Sequence, residues 1–277
     1  MSTLELLENR TTWSISELDL ILTALKDADM ITPDLSKQAI SNVSQLLDIQ
    51  ERLHLTVEEL CTTFHFMPTW KDFSEHPDRQ KDWKLFERTF DVRKLFGEDE
   101  NTHKINSSSE FYHKSFDIGK LKDRATDPTT PVLLGGLGVS ETELFLLFDL
   151  LKSEMKFSEK YGVCTLNLQK VSLLYRHSLI SNALNLKIKD FVQVMHLNFN
   201  STDYVIQDPH QIRSLIEFVN WVKTSPFTIP ELGFILKDEE SNSVKHKIEL
   251  VGVIKIVQHI IESQVQEKES ATILLTS

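Results

Sequence analysis

The stretch Trp13-Ser14-Ile15-Ser16-Glu17-Leu18 carries the signal that decides the fold, a capping box at the start of a helix. In such a box a hydroxyl oxygen accepts the backbone N–H three residues on, and the carboxylate there accepts the N–H of the capping residue. Ser14 and Glu17 supply these two groups here, and Trp13 and Leu18 can pack together as a hydrophobic staple. The stretch therefore predicts a helix that begins after Ser14.

The same signal recurs along the chain and indicates repeated helical units. The hydroxyl–carboxylate pairs are Ser14–Glu17, Thr56–Glu59, Ser140–Glu143 and Thr228–Glu231, and a weaker copy without a hydroxyl stands at Lys187–Asp190. The staple residues are Trp13, Leu18, Leu55, Leu60, Val139, Leu144, Leu186, Phe191, Phe227 and Leu232. The capping positions are 42, 84 (twice 42), 47 and 41 residues apart, so one copy is missing near residue 98. A fixed period of this size is typical of stacked helices. We predict an all-α fold of antiparallel helix pairs, a shell or solenoid-like bundle.

A polar stretch divides the predicted helices into two groups. Residues 98–109 are polar and fall where the period skips a copy. We predict an N-terminal helical part (1–97), a polar insertion and linker (98–131), a C-terminal helical part (132–265) and a tail (266–277). Three local predictions accompany this division. Trp83 to Phe96 is helical, residues 127–131 form a loop, and the glycines at 135, 136 and 138 form a flexible connector.

Composition and charge exclude several classes of function. The net charge of −11 argues against non-specific nucleic-acid binding, which requires a basic surface. No apolar stretch approaches the roughly 20 residues of a membrane-spanning helix, so we expect none. The N-terminus lacks a basic region followed by an apolar run, so no signal peptide is predicted.

No group of residues has the spacing that catalysis, a cofactor or a metal would require, and we expect none of the three. Cys61 and His65 stand four residues apart on a predicted helix, but two ligands do not make a closed metal site. Two interpretations are open for Tyr175-Arg176-His177. Arg176 either clamps a ligand or, as we favour, lies exposed beside a tucked Tyr175. The ten histidines permit a response between about pH 5 and pH 7, although ordinary surface positions are the favoured interpretation.

Three stretches resemble one protein family. Residues 171–191, VSLLYRHSLISNALNLKIKDF, resemble the LYRxALLAxALxLSxxEL signature of the A subunits of bacterial insecticidal toxin complexes (Tc toxins). Residues 214–236, SLIEFVNWVKTSPFTIPELGFIL, are similar to that family's FxxxVxxLxxSxFxIxELxYLL segment. Residues 51–90 resemble its LGLSxEEL…IPTY…LYxRLF stretch. The order and separation of the stretches at 171–191 and 214–236 also match, and the resemblance covers most of residues 40–240.

The resemblance implies a structural role and no catalytic site. The A subunits of this family form large homopentamers in which a helical shell surrounds a translocation channel. The shell carries receptor-binding domains and opens on a pH change, and a toxic enzyme is then delivered into the host. The matching segment belongs to the shell, so the resemblance implies partners among other copies or components of a toxin complex and a host receptor. It also implies a secreted complex that is cytoplasmic before release.

The chain departs from the family in its length, in Lys187 at a capping position and in the 98–109 insertion. A stand-alone helical-repeat scaffold that binds a peptide or protein is therefore the alternative function. An enzyme is a third class, which nothing in the sequence demands.

Overall fold

The computed structural model describes nine ranges of the chain, which are residues 12–31, 37–69, 84–90, 107–108, 111–112, 114–117, 129–157, 163–201 and 204–237. Helices dominate these ranges, which confirms the all-α class. The helices are α1 (Ile15–Asp27), α2 (Lys37–Leu53), α3 (Val57–Thr62), α4 (Leu85–Thr89), α5 (Thr129–Leu137), α6 (Glu141–Leu150), α7 (Lys152–Met155), α8 (Leu168–Ala183), α9 (Ile188–Phe199), α10 (Pro209–Thr224) and α11 (Ile229–Lys237).

Two short antiparallel strand pairs accompany the helices. Strand β1 (Ser107–Ser108) pairs with β2 (Phe111–Tyr112). Strand β3 (Lys114–Asp117) pairs with β4 (Val163–Leu166), with Lys114 opposite Leu166 and Asp117 opposite Val163. The second pair joins part of the predicted insertion and linker (98–131) to the segment that leads into α8.

Three of the four capping boxes are formed as the sequence pattern predicts. Ser14, Thr56 and Ser140 are the N-caps of α1, α3 and α6, and each makes both hydrogen bonds of the box. At Thr56, for example, the hydroxyl accepts the Glu59 N–H at 3.3 Å and the Glu59 carboxylate accepts the Thr56 N–H at 2.8 Å. Thr228 directly precedes α11, and the hydrogen bonds of its box stay a prediction. Lys187 caps α9 without a side-chain hydrogen bond.

The repeated signal marks a recurring corner between two helices. A residue with left-handed backbone ends the first helix, an apolar residue follows, and the N-cap of the next helix comes third. The three corners are His54-Leu55-Thr56, Gly138-Val139-Ser140 and Asn185-Leu186-Lys187, with φ of 54°, 66° and 54° at their first residues. At the second and third corners the apolar residue's N–H reaches back five positions, as in a Schellman motif. The period in the sequence is therefore the period of these corners.

One hydrophobic cluster joins helices from both sides of the predicted insertion, from Trp13 on the N-terminal side to Val219 in α10. The chain divides into two compact units, residues 1–229 and 230–277. The predicted division into four parts stays a prediction. Its junction at 131/132 falls inside α5, whereas those at 97/98 and 265/266 lie outside the described residues.

The predictions for residues 127–138 were wrong in two places. Helix α5 begins at Thr129, inside the predicted loop, because Thr129 and Thr130 are buried and Pro131 is tolerated in a first turn. Gly135 and Gly136 belong to α5 and form no connector. Gly138 alone has a left-handed backbone, with φ of 66°.

Helix α4 is shorter than the sequence pattern predicts. It ends at Thr89, and Phe90 is extended with φ −119° and ψ 139°. The buried Phe90 ring meets Tyr175 of α8, a contact that the local pattern does not reveal. Residues 91–96 of the predicted helix lie outside the described residues.

Among the described helices, none is both long enough and apolar enough to cross a membrane alone. Helices α5 and α6 reach the length and apolar composition of a membrane span only when taken together, and their axes are bent by 84° relative to each other.

Candidate functional site

Helix α8 carries a row of buried polar side chains through the middle of the hydrophobic cluster. They are Ser172, Arg176, His177, Ser178 and Ser181, all between 0 and 4% exposed. Burying a polar group without a hydrogen bond costs roughly 1–3 kcal/mol. Each of these side chains has a backbone partner, and most of those partners lie on other elements. We call these five residues the α8 polar core.

Arg176 holds two remote segments of the chain. Its Nε donates to the Thr62 carbonyl at 2.8 Å, Nη2 to the His65 carbonyl at 2.7 Å and Nη1 to the Ile206 carbonyl at 2.7 Å. Thr62 is the last residue of α3, so the guanidinium charge stands at the negative end of a helix dipole. Burial lowers the pKa of Arg176 to about 9.

The prediction of an exposed Arg176 was therefore wrong. The pattern of a long charged side chain on a helix normally indicates a solvated surface, but here the partners are three backbone carbonyls, two of them more than a hundred residues away. With a donor on each guanidinium nitrogen bonded to the backbone, Arg176 is a poor ligand clamp as well. It joins α3 and the segment before α10 to α8.

His177 binds the same remote residue from the other side. Its Nδ1 lies 2.8 Å from the Leu173 carbonyl, and its Nε2 lies 3.3 Å from the Ile206 N–H. A carbonyl only accepts and an N–H only donates, so Nδ1 carries the proton and Nε2 is an unprotonated acceptor. Burial lowers the pKa of His177 to about 3, with the nearby Arg176 charge acting in the same direction and the Leu173 hydrogen bond opposing. The imidazole is thus held neutral.

The three serines secure turns and helix ends. Ser172 Oγ accepts the Met67 N–H at 2.9 Å. Ser178 Oγ donates to the carbonyl of Leu137, the last residue of α5, at 2.6 Å. Ser181 Oγ donates to the Leu186 carbonyl at 2.9 Å, within the corner that leads to α9.

Lysines extend this pattern to two further helix ends. Lys170 Nζ donates to the carbonyl of Met155, the last residue of α7, at 2.6 Å. Lys223 Nζ donates to the carbonyl of Leu184, the C-cap of α8, at 2.8 Å. Cations are stabilising at helix C-termini because the free carbonyls there carry partial negative charge. The basic groups of this region therefore hold helices together.

Three residues of types that often act in catalysis, a cysteine and two glutamates, have structural roles here. Burial, with the Glu58 charge assisting, raises the pKa of the Cys61 thiol to about 12, so it is no ready nucleophile. Hydrogen bonds from the backbone and side chain of Ser14 lower the pKa of Glu17, and those of Ser140 do the same for Glu143. Such carboxylates cap helices as anions. In the ranges that the structure describes, no group of three or more His, Cys, Asp or Glu could hold a metal ion.

Sequence reasoning located part of the α8 polar core and misread it. It singled out Tyr175-Arg176-His177 and missed the serines and both lysines. Tyr175 is partly buried, as predicted, and burial raises its pKa to about 12. The available signal was an unbroken run of four residues with polar groups, 175–178, between the apolar pairs Leu173-Leu174 and Leu179-Ile180, which favours internal hydrogen bonding over a surface.

Two solved structures share this fold. The chain is similar to TcdA4 from Morganella morganii, solved by cryo-EM, with 14% sequence identity and a TM-score of 0.50, over 76% of this chain and 9% of that one. It is also similar to TcaA–TcaB from Yersinia pseudotuberculosis, likewise solved by cryo-EM, with 15% identity and a TM-score of 0.54, over 83% of this chain and 11% of that one. No protein-family model and no curated protein sequence matches the chain. The resemblance to Tc toxin A subunits is therefore structural, and the chain spans about a tenth of the length of either structure.

Proposed function

We propose that this protein is a non-enzymatic structural component of a Tc toxin assembly, equivalent to part of the helical shell of an A subunit. The observation that carries the proposal is the fold similarity to TcdA4 and TcaA–TcaB over most of the chain. The sequence motifs at 51–90, 171–191 and 214–236 support the same relationship. In this role the protein contacts other copies or other components of the complex and takes part in recognition of a host.

The α8 polar core supports a structural role over a catalytic one. An active site needs polar groups that are free to meet a substrate, often with a carboxylate or histidine near its working pKa. Here Arg176, His177 and Ser178 are hydrogen-bonded to backbone groups. His177 also stays neutral at pH values well below the physiological range. We infer that the chain acts through assembly. We further propose that it works outside the bacterium after release from the cytoplasm.

Co-expression with the large products of the neighbouring reading frames, as candidate toxin components, tests the proposal. The tagged chain should co-purify with such a component, and mass photometry should show a particle far heavier than the 32.0 kDa chain. A tagged helical protein of similar size and charge serves as the matched control. A chain that remains monomeric in the presence of every adjacent component would overturn the proposal.

A further inference from the structure

Residues 84–90 pack against the rest of the fold in the way that a short peptide binds to a receptor. Helix α4 has only five residues, whereas an isolated helix needs about 12–15 to be even marginally stable in water. Its conformation therefore depends on the surface beneath it. That surface, the α4 seat, consists of Glu58, Pro68, Thr69, Gly136 and Tyr175.

Two aromatic side chains four positions apart anchor the segment. Phe86 and Phe90 are 0 and 2% exposed, and their ring centroids are 5.4 Å apart. The Phe90 ring meets Tyr175 edge-on at a centroid distance of 6.3 Å. Leu85 is also buried. Fully desolvated aromatic anchors of this kind carry most of the affinity at protein interfaces.

Gly136 gives the seat its shape. A Cβ placed on Gly136 would collide with the Phe90 ring and approach the Thr89 carbonyl to 3.0 Å. A Cβ on Gly135, one residue earlier in the same helix, would meet no atom within 4 Å. The absence of a side chain at 136 is therefore what lets the ring lie against α5, and Gly135 is a matched control.

Polar contacts around the aromatic anchors, one of them made by the buried Glu87, fix the direction of the segment. The Phe86 N–H donates to the Pro68 carbonyl at 3.1 Å. The Thr69 hydroxyl donates to the Glu87 carboxylate, and Arg88 pairs with Glu58. The Arg88 side chain is half exposed, and such ion pairs contribute little to affinity. Orientation thus comes from these polar contacts and attachment from the aromatic anchors.

This combination of apolar anchors and orienting polar contacts is also used in helix-in-groove recognition, although here the second anchor, Phe90, follows the helix in an extended conformation. We propose that the α4 seat is a binding site for a short segment of the pattern Leu-Phe-x-x-x-Phe, helical up to the residue before the last Phe, and that residues 84–90 are its tethered ligand. Because residues 84–90 belong to the same chain as the seat, their effective concentration at the seat is high and the site is filled intramolecularly.

A labelled synthetic peptide tests the proposal. The peptide corresponds to residues 82–92, and the receptor is the full chain carrying Phe86→Ala and Phe90→Ala, which empty the seat. Fluorescence anisotropy should show saturable binding to this variant and at least about tenfold weaker binding to the wild-type chain, whose seat is filled. A peptide with the Phe90→Ala change, or a receptor with Gly136→Ala added, should bind at least about tenfold more weakly, whereas Gly135→Ala should have no effect.

Absence of saturable binding to a double variant whose circular dichroism matches the wild type would overturn the proposal. If the double variant loses its helix content, the wild-type chain is cut at protease sites placed within 70–83 and 91–106. The excised segment should then stay bound through gel filtration and be displaced by excess labelled peptide. Its release on cleavage, or a failure to exchange, would equally contradict the proposal.

Discussion

The backbone N–H of Ile206 donates to Nε2 of His177 at 3.3 Å, so this hydrogen bond exists only while the imidazole is neutral. The carbonyl of Ile206 accepts from the neighbouring Arg176. Two consecutive residues of α8 thus bind the N–H and the carbonyl of one residue that lies outside any helix. These two hydrogen bonds predict how the stability of the fold responds to acid and to substitution of Arg176.

Acid should weaken the fold through His177. Its pKa is about 3 in the folded state and near 6.5 when unfolded. Between these values the unfolded chain binds more protons, so the free energy of unfolding falls as the pH is lowered from about 6.5 towards 3. The loss should be about 2 kcal/mol between pH 7 and pH 5. Urea denaturation at the two pH values measures it, and His177→Gln should lose that part of the pH dependence. Equal pH dependence in the two proteins would refute the assignment.

Replacement of Arg176 by Lys should be costly although it keeps the charge. An ammonium group cannot span carbonyls as widely placed as those of Thr62 and Ile206, so at least one buried acceptor loses its partner. We expect a loss of about 2–3 kcal/mol in the free energy of unfolding. Arg88→Lys is the matched control, because the Arg88–Glu58 pair is partly exposed and should cost less than about 1 kcal/mol. Similar losses at the two positions would argue against the role given to Arg176.

Removal of the capping box at Thr56 and Glu59 should destabilise the protein. Changing both residues to Ala deletes both hydrogen bonds of the box and should lower the free energy of unfolding by about 1 kcal/mol or more. Lys187 makes no side-chain cap. Lys187→Ala should therefore be nearly neutral, and Lys187→Ser should gain about 0.5–1 kcal/mol by supplying the missing hydroxyl. An unchanged melting curve for the Thr56 and Glu59 double variant would contradict the cap.

The helix corners should respond to glycine according to backbone conformation. His54 is exposed with φ of 54°, a region that is unfavourable for residues with a Cβ. His54→Gly should therefore raise the free energy of unfolding by about 0.5–1 kcal/mol. Gly138→Ala should lower it by about 1 kcal/mol, although the added Cβ meets no atom within 4 Å. Thermal melts of the two variants that shift in the same direction would be inconsistent with this account.

Local interactions explain what the sequence predicts well. A capping box joins residues three apart, so Ser14, Thr56 and Ser140 could be placed without knowledge of the tertiary structure. Thr56 and Ser140 are also the third residues of two helix corners, so the period of the boxes follows the recurrence of those corners.

Long-range contacts explain the errors. Two of the three partners of Arg176 lie 111 and 114 residues earlier in the chain and the third lies 30 residues later, and no local pattern reports them. Gly136 looks like part of a flexible connector until the Phe90 ring is placed against it. The start of α5 at Thr129 likewise depends on burial of the two threonines. In each case tertiary packing overrides local preference.

Hydrogen exchange at the Ile206 amide tests most directly the claim that the α8 polar core holds remote backbone in place. In the wild-type chain this amide should be as well protected as the amides of α8, although it lies in no helix. In His177→Phe, which keeps a ring and removes the acceptor, its protection should fall by about tenfold or more while the amides of α6 keep theirs. Exchange of Ile206 at the rate of an unstructured peptide in the wild type, or protection unchanged by the substitution, would contradict the claim.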